Sequence, residues 1–186
     1  TAFSLWLDGS TETIKRVSND NNLLQTAFGI SPNTPLVSIS QGLSDPHRGG
    51  RAVSILTYGT DDNTVKIVYK PKDMRLDKVY QDMLGDLNQH SKLVPLKTLT
   101  ILCADGYGYM EFVPHRLCEN EQSLTSFYHN AGRLTAVLHV LGCTDCHHEN
   151  LIAFSDQLVL IDTETLLEAD LPDHIADAST QNDNSG

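Results

Sequence analysis

The sequence predicts an α+β fold in two lobes, a β-rich part followed by a helical part, and three observations predict it. Two β-rich runs, RAVSILTY and TVKIVYK, are joined by GTDDN, whose Gly and Asp residues suit a hairpin turn. Two later stretches, from Leu76 to Leu87 and from Leu124 to Leu141, repeat apolar residues at helical spacing. Between them Pro114 closes a strand, where a hinge between lobes would fall. With 186 residues and 40% apolar content, the chain can bury one respectable core or two small lobes.

Taken in order, residues 1–44 carry the weakest pattern. Leu23, Leu24, Ala27 and Phe28 can line a short helix, and SPNTP at 31–35 is a turn-rich break, so this part is expected to be a partly ordered flank. Residues 45–113 are expected to form the β-rich lobe. Alternation puts Val53 and Ile55 on one face of the first strand, and Lys66, Val68 and Lys70 on one face of the second. Pro71 cannot donate to a ladder, so pairing stops beside Lys70. Leu76, Val79, Tyr80, Met83, Leu84 and Leu87 then form one helical stripe, with Asp73 as N-cap. PLKTLTILC and YGYMEFV are two further strands around the turn ADG. Residues 114–170 begin the second lobe with a long helix through Leu124, Phe127, Tyr128, Ala131, Leu134, Leu138 and Leu141, closed by Gly142. LIAF and LVLIDT follow as a short hairpin around SDQ. Residues 171–186 have little to pack and are expected to be disordered.

The net charge of −11, from 13 basic against 24 acidic residues, argues against a nucleic-acid binder, which would show a basic face. No run approaches the roughly 18 apolar residues of a membrane helix, and no signal peptide is legible at the start, so a soluble, cytoplasmic protein without an integral membrane segment is expected. The absent initiating Met and the abrupt end QNDNSG suggest a piece of something longer. Four dispersed cysteines in such a chain are expected to be reduced, mostly buried thiols.

TDCHHEN, at 144–150, and LVLIDTE, at 158–164, carry the chemistry. Asp145, Asn150 and Asp162 are spaced by five and by twelve residues. Protein kinases show the same order of a catalytic-loop Asp, a magnesium-binding Asn and a further magnesium-binding Asp after the next short hairpin. The whole series of elements follows the order of a kinase from its lysine-bearing strand to that aspartate, so the α+β fold is expected to be a kinase-like two-lobed core that stops after the metal-binding hairpin. Phosphoryl transfer needs a cation on the phosphates, magnesium, and an acceptor for the hydroxyl proton. Lys70 can supply the first, Asn150 and Asp162 offer hard oxygen ligands, and Asp145 can accept the proton. His147 can share that task or orient the loop. Glu164, two residues past Asp162 in an extended segment, can hold a water or metal behind it. Glu111, Phe112 and Val113 occupy the hinge, where backbone groups would bind a nucleotide base. No Gly-x-Gly-x-x-Gly loop precedes Lys70, and the following helix offers Asp77, Asp82 and Asp86 rather than a glutamate, which disfavours an ordinary protein kinase. Cys143 to His147 also fits the C-x-x-C-H pattern of haem attachment, and Cys143, Cys146, His147 and His148 could hold zinc.

SDPHRGGRAVSILTY, VYKPKDMRLDKVYQDML, YGYMEFV, AGRLTAVLHVLGCTDCHHENLIA and LVLIDTETLLE together resemble the dehydratase domain of class II lanthipeptide synthetases, over about residues 45–168. The resemblance implies a core related to lipid and protein kinases that uses ATP and Mg2+ to phosphorylate Ser and Thr of a ribosomally made precursor peptide, leader plus core. Phosphate is then eliminated to leave dehydroalanine or dehydrobutyrine. It implies that Lys70 contacts nucleotide phosphates, that Asp145 and His147 are the D-x-H pair, that Asn150 and Asp162 bind metal, and that Glu164 is the D-x-E acid. Asp45 and His47 match the pair associated with elimination. The family's enzymes continue into a zinc-containing cyclase, and their elimination site also uses an arginine and a threonine far downstream, so this chain is expected to be a partial dehydratase. The competing readings are a phosphotransferase that never eliminates and a silent, pseudokinase-like module that binds peptide.

Overall fold

The computed structural model describes residues 2–42, 50–60 and 64–167. Asp45, His47 and the tail 171–186 lie outside the described residues. The described elements are α1 (Ala2–Ala27), β1 (Leu36–Ser40), β2 (Ser54–Tyr58), β3 (Val65–Lys70), α2 (Arg75–His90), β4 (Ile101–Ala104), β5 (Tyr107–Glu111), α3 (Glu121–Val140), β6 (Leu151–Phe154) and β7 (Gln157–Leu160). The first seven build an antiparallel five-stranded sheet in the order β1-β2-β3-β5-β4, flanked by α1 and α2; β6 and β7 form a separate hairpin.

Strand alternation splits the five-stranded sheet into two working faces. Leu56, Tyr58, Ile67, Tyr69 and Tyr109 are buried on one face with Val17 and Leu24 of α1 and with Ile30. A face this rich in tyrosine must satisfy its hydroxyls. Tyr107 and Tyr109 both donate to Asp20 Oδ2, at 2.7 and 2.8 Å, Tyr58 donates to Asn21 Oδ1 at 3.1 Å, and Arg16 donates to the Tyr69 oxygen at 2.8 Å. The residues of the other face, Val53, Ile55, Val68 and Lys70, share one cavity.

The N-terminal flank departs from expectation. In place of a partly ordered segment with a short helix, α1 runs 26 residues and β1 forms the sheet edge. The join of α1 to the sheet is unusually tight. A Cβ on Gly9 would lie 2.6 Å from the Gly50 carbonyl oxygen, and one on Gly50 would lie 2.6 Å from the Leu5 carbonyl carbon. Gly50 also has φ of +75°, which a side chain resists. Glu12 clamps the neighbouring Arg51 through both carboxylate oxygens, at 2.7 and 3.1 Å.

The N-cap of α2 is Met74 rather than the expected Asp73, which lies one residue earlier and whose Oδ1 accepts the Arg75 N–H at 3.0 Å. Residues 91–100 lack regular structure, and side chains from α2 and β7 hold them. Asn88 pairs with both backbone groups of Leu96 at 2.8 Å, Gln81 accepts from Leu99 N–H at 2.8 Å, and Gln157 accepts from Lys97 N–H at 3.1 Å. α3 opens on a reciprocal cap, with Asn120 Oδ1 accepting from Ser123 N–H and Ser123 Oγ accepting from Asn120 N–H. It closes on Gly142 with φ of +65°, where Gly142 N–H reaches His139 O and Cys143 N–H reaches Leu138 O, the paired bonds of a glycine-terminated helix. Leu134 and Leu138 of α3 are buried with Tyr80 and Leu84 of α2 and Leu160 of β7. Asn130, 1% exposed within α3, donates to the Asp156 carbonyl at the hairpin turn, 2.6 Å away.

The cysteines also depart from expectation. Cys143 and Cys146 are joined as a disulfide, Cys103 is exposed and Cys118 is half-buried. The bridge occupies the two sulfurs that a zinc site or a thioether-bound haem would need, and among the described residues no group of three or more His, Cys, Asp or Glu is placed to hold a metal.

Candidate functional site

A cavity of about 830 Å³ lies between the second face of the sheet and the β6–β7 hairpin. Val53, Ile55 and Val68 line it from the sheet, Phe112, Val113 and His115 from the connection, and Asn150, Ile152, Ile161 and Asp162 from the hairpin side. Lys70 enters from the end of β3, where Pro71 stops the ladder, and its side chain is 6% exposed.

Two carboxylates and a carbonyl meet that ammonium. Lys70 Nζ donates to the Ile161 carbonyl and stands 3.7 Å from Asp162 Oδ2 and 4.0 Å from Asp77 Oδ1. Burial pushes the Lys70 ammonium below its usual range, and Asp162 pulls the other way. Burial likewise raises the Asp77 carboxyl, against the pull of Lys70 and Lys72. For Asp162 burial is also the largest single influence and acts upward, but the two lysines together outweigh it and hold the carboxyl below the ordinary range. Asp77 therefore takes the place on α2 where the sequence offered no glutamate. Of the three aspartates that the sequence offers on this helix, Asp77 is the one buried, at 3% exposure.

Lys72 was missed altogether. Its Nζ bridges Asp162 Oδ1 at 2.7 Å and Glu164 Oε1 at 2.9 Å. Burial acts to lower its pKa, but the hydrogen bonds to Asp162 and Glu164 prevail and raise it. The available signal was period two across Y-K-P-K, which sends Lys70 and Lys72 to the same side of an extended segment.

The loop after α3 is a small self-bonded unit. Asn150 Nδ2 donates to both the backbone oxygen and Oδ2 of Asp145, each at 3.0 Å. This directs the amide nitrogen at Asp145 and leaves the carboxamide oxygen on the opposite side of the group. Asn150 and Asp162 are on the same cavity, and the Ile161 N–H donates to the Asn150 carbonyl at 2.9 Å. His147 Nδ1 accepts the Glu149 N–H at 3.2 Å, which assigns the ring proton to Nε2, and that nitrogen lies 3.0 Å from Asp145 Oδ1. Asp145 N–H donates to Thr165 Oγ1 at 3.1 Å, and the Cys143–Cys146 bridge encloses Asp145 in the same turn.

Not every expected residue faces the cavity. Val113 lines it, whereas Glu111 turns away: its carboxylate meets Lys97 Nζ at 2.7 Å and its N–H is taken by the Thr100 carbonyl. Glu164 sits behind Asp162 on Lys72 rather than on the cavity wall. Asp145 and His147, their side chains 50% and 45% exposed, do not line the cavity, which His148 and Glu149 of the same loop reach instead. Asp45 and His47 fall between Gly42, which lines the cavity, and Gly50, outside the described residues.

The sequence pattern of a family described as "Domain of unknown function (DUF4135)" matches residues 1–185. The chain belongs to the DUF4135 family. A relative of this DUF4135 domain is the protein named "Lacticin 481/lactococcin biosynthesis protein LcnDR2" from Lactococcus lactis subsp. lactis, 27% identical over 130 residues. The match covers 66% of the DUF4135 chain and 14% of the relative, so the chain spans a small part of that protein's length. The resemblance to class II lanthipeptide synthetases read from the motifs between Asp45 and Glu168 agrees with both matches.

Proposed function

We propose that this chain is the nucleotide-binding core of a lanthipeptide dehydratase, kinase-like in fold, which uses ATP and Mg2+ to phosphorylate Ser and Thr of a precursor peptide before phosphate is eliminated. One observation carries the reading: Lys70, Asn150 and Asp162, drawn from three separate segments, converge on a single cavity of about 830 Å³. The relative's name supports the biosynthetic context. No helix among the described residues is long and apolar enough to cross a membrane.

The donor set fits magnesium. An amide oxygen and a carboxylate are hard ligands, and magnesium is commonly held by one or two protein groups together with substrate phosphates. Asn150 and Asp162 would hold it, and it would supply charge neutralisation on the transferring phosphoryl group. Lys70, fixed by Asp77, Asp162 and the Ile161 carbonyl, presents a positive charge to the phosphates. Val113 and the apolar wall of Val53, Ile55, Val68 and Ile152 suit a base ring. Asp145, oriented by Asn150 and by the His147 Nε2–H, accepts the proton of the acceptor hydroxyl as its oxygen bonds to phosphorus and ADP departs. Elimination then removes the α-proton, forms the carbon–carbon double bond and releases phosphate, with Asp45 and His47 as the groups the resemblance assigns to that step. The remainder of the longer protein, with its cyclase domain, would complete the elimination site and close the rings.

The test is mass spectrometry of the precursor peptide treated with the intact protein. Asp162→Asn should abolish phosphorylation, and Asp45→Ala or His47→Ala should accumulate phosphopeptide. Full dehydration by Asp162→Asn would refute the metal assignment, and full dehydration by both other variants would refute the elimination assignment.

A further inference from the structure

We infer that Lys72 and Glu164 form a charge-neutral brace that positions the Asp162 carboxylate for a divalent cation, with Lys72 as the positioning residue. This rests on the metal reading of Asp162 given above. The two Asp162 oxygens are differently engaged. Oδ1 accepts from Lys72 Nζ at 2.7 Å and from the Glu164 N–H at 3.2 Å, so both of its directions are spent behind the cavity. Oδ2 stands 3.7 Å from Lys70 Nζ, beyond hydrogen-bond reach, and Asp162 faces the cavity beside Asn150. Neither Lys72 nor Glu164 lines that cavity.

A lone ammonium beside a metal ligand would hold the carboxylate but repel the cation. Glu164 removes that conflict: its Oε1 lies 2.9 Å from Lys72 Nζ, so the brace carries no net charge. The D-x-E spacing acquires a physical reason, because a carboxylate two residues past Asp162 reaches the same side of the segment and meets the same lysine. Groups that orient a metal ligand from behind contribute through geometry rather than contact, and their loss commonly weakens metal binding about tenfold to a hundredfold.

The experiment measures Mn2+ binding by electron paramagnetic resonance, with a non-hydrolysable ATP analogue present, on the intact protein. The double variant Lys72→Met/Glu164→Gln deletes the brace without altering net charge and should weaken Mn2+ binding about tenfold or more. Glu164→Gln alone leaves an unbalanced ammonium and should be at least as weak, whereas Lys72→Arg, which keeps a donor to both carboxylates, should stay close to the unmodified protein. Circular dichroism melting on each variant shows that the fold is retained. Unchanged or tighter binding in the double variant, with Asp162→Asn still losing Mn2+, overturns the brace alone. Unchanged Mn2+ binding in Asp162→Asn overturns the metal reading beneath it.

Discussion

Gly50 is where the packing of α1 is most open to test. Its φ of +75° already penalises a side chain, by about 1–2 kcal/mol for an L-residue in the left-handed region. A Cβ there would also lie 2.6 Å from the Leu5 carbonyl carbon, and the obstacle is helix backbone that cannot rotate away. Overpacking of this kind adds about 1–3 kcal/mol, so Gly50→Ala should cost roughly 2–5 kcal/mol. Gly106 supplies the control: its φ is +74° and nothing lies within 4 Å of a built Cβ, so Gly106→Ala should cost only the conformational part. Urea titrations followed by circular dichroism give both values. Trp6, the sole tryptophan, sits on α1 and reports by fluorescence whether that helix detaches before the remainder unfolds. A Gly50→Ala loss within about 0.5 kcal/mol of Gly106→Ala would refute the close approach, since distant surface changes fall within that margin.

Three further outcomes are expected. Asp77→Ala strips Lys70 of one of its two carboxylate neighbours; because Asp162 remains at 3.7 Å and Asp77 bears its own burial cost, the loss should fall at or below the lower end of about 3–5 kcal/mol, measured by urea unfolding. The hydrogen bond from Arg51 holds Glu12 below its ordinary value of 4.5, so its stabilisation is complete above that value and fades as pH falls through the depressed one. Melting temperature should therefore drop less on acidification in Glu12→Gln than in the unmodified protein, and identical pH profiles would contradict the link. Reducing the Cys143–Cys146 bridge, which closes a ring of four residues, should cost about 2 kcal/mol by chain entropy, read from urea curves with and without a dithiol reductant.

Much of the sheet was legible in the sequence because its signals are local. The hairpin β2–β3 shows period two on both strands, and the expected faces, Val53 and Ile55 with Val68 and Lys70, meet on one cavity. α3 announced itself through its apolar stripe and Gly142. α1 did not, because its buried positions include Gly9 and Thr13 as well as Val17 and Leu24, while Phe3, Trp6 and Ile14 are exposed. A helix that packs through small and polar residues leaves no apolar stripe to count. β1 was silent for a related reason: only Ile39 is even half-buried along its five residues. Within the candidate site, the spacing of Asp145, Asn150 and Asp162 could be read along the chain. Choosing Asp77 among the three aspartates of α2, and pairing Lys72, required the tertiary fold, since Lys72 meets Asp162 and Glu164 only after some 90 intervening residues have folded back.

Asn130 gives α3 a role that leucine could not fill. Its side chain occupies a position 1% exposed, where an apolar group would pack well, yet its Nδ2 is spent on one turn carbonyl of the hairpin, Asp156, while its Oδ1 accepts from Arg133. An apolar replacement would remove that donor, and with it a direct tie between α3 and the turn of the hairpin that delivers Asp162. A polar group in the middle of a helix thus ties that helix to a hairpin turn more than twenty positions further along the chain.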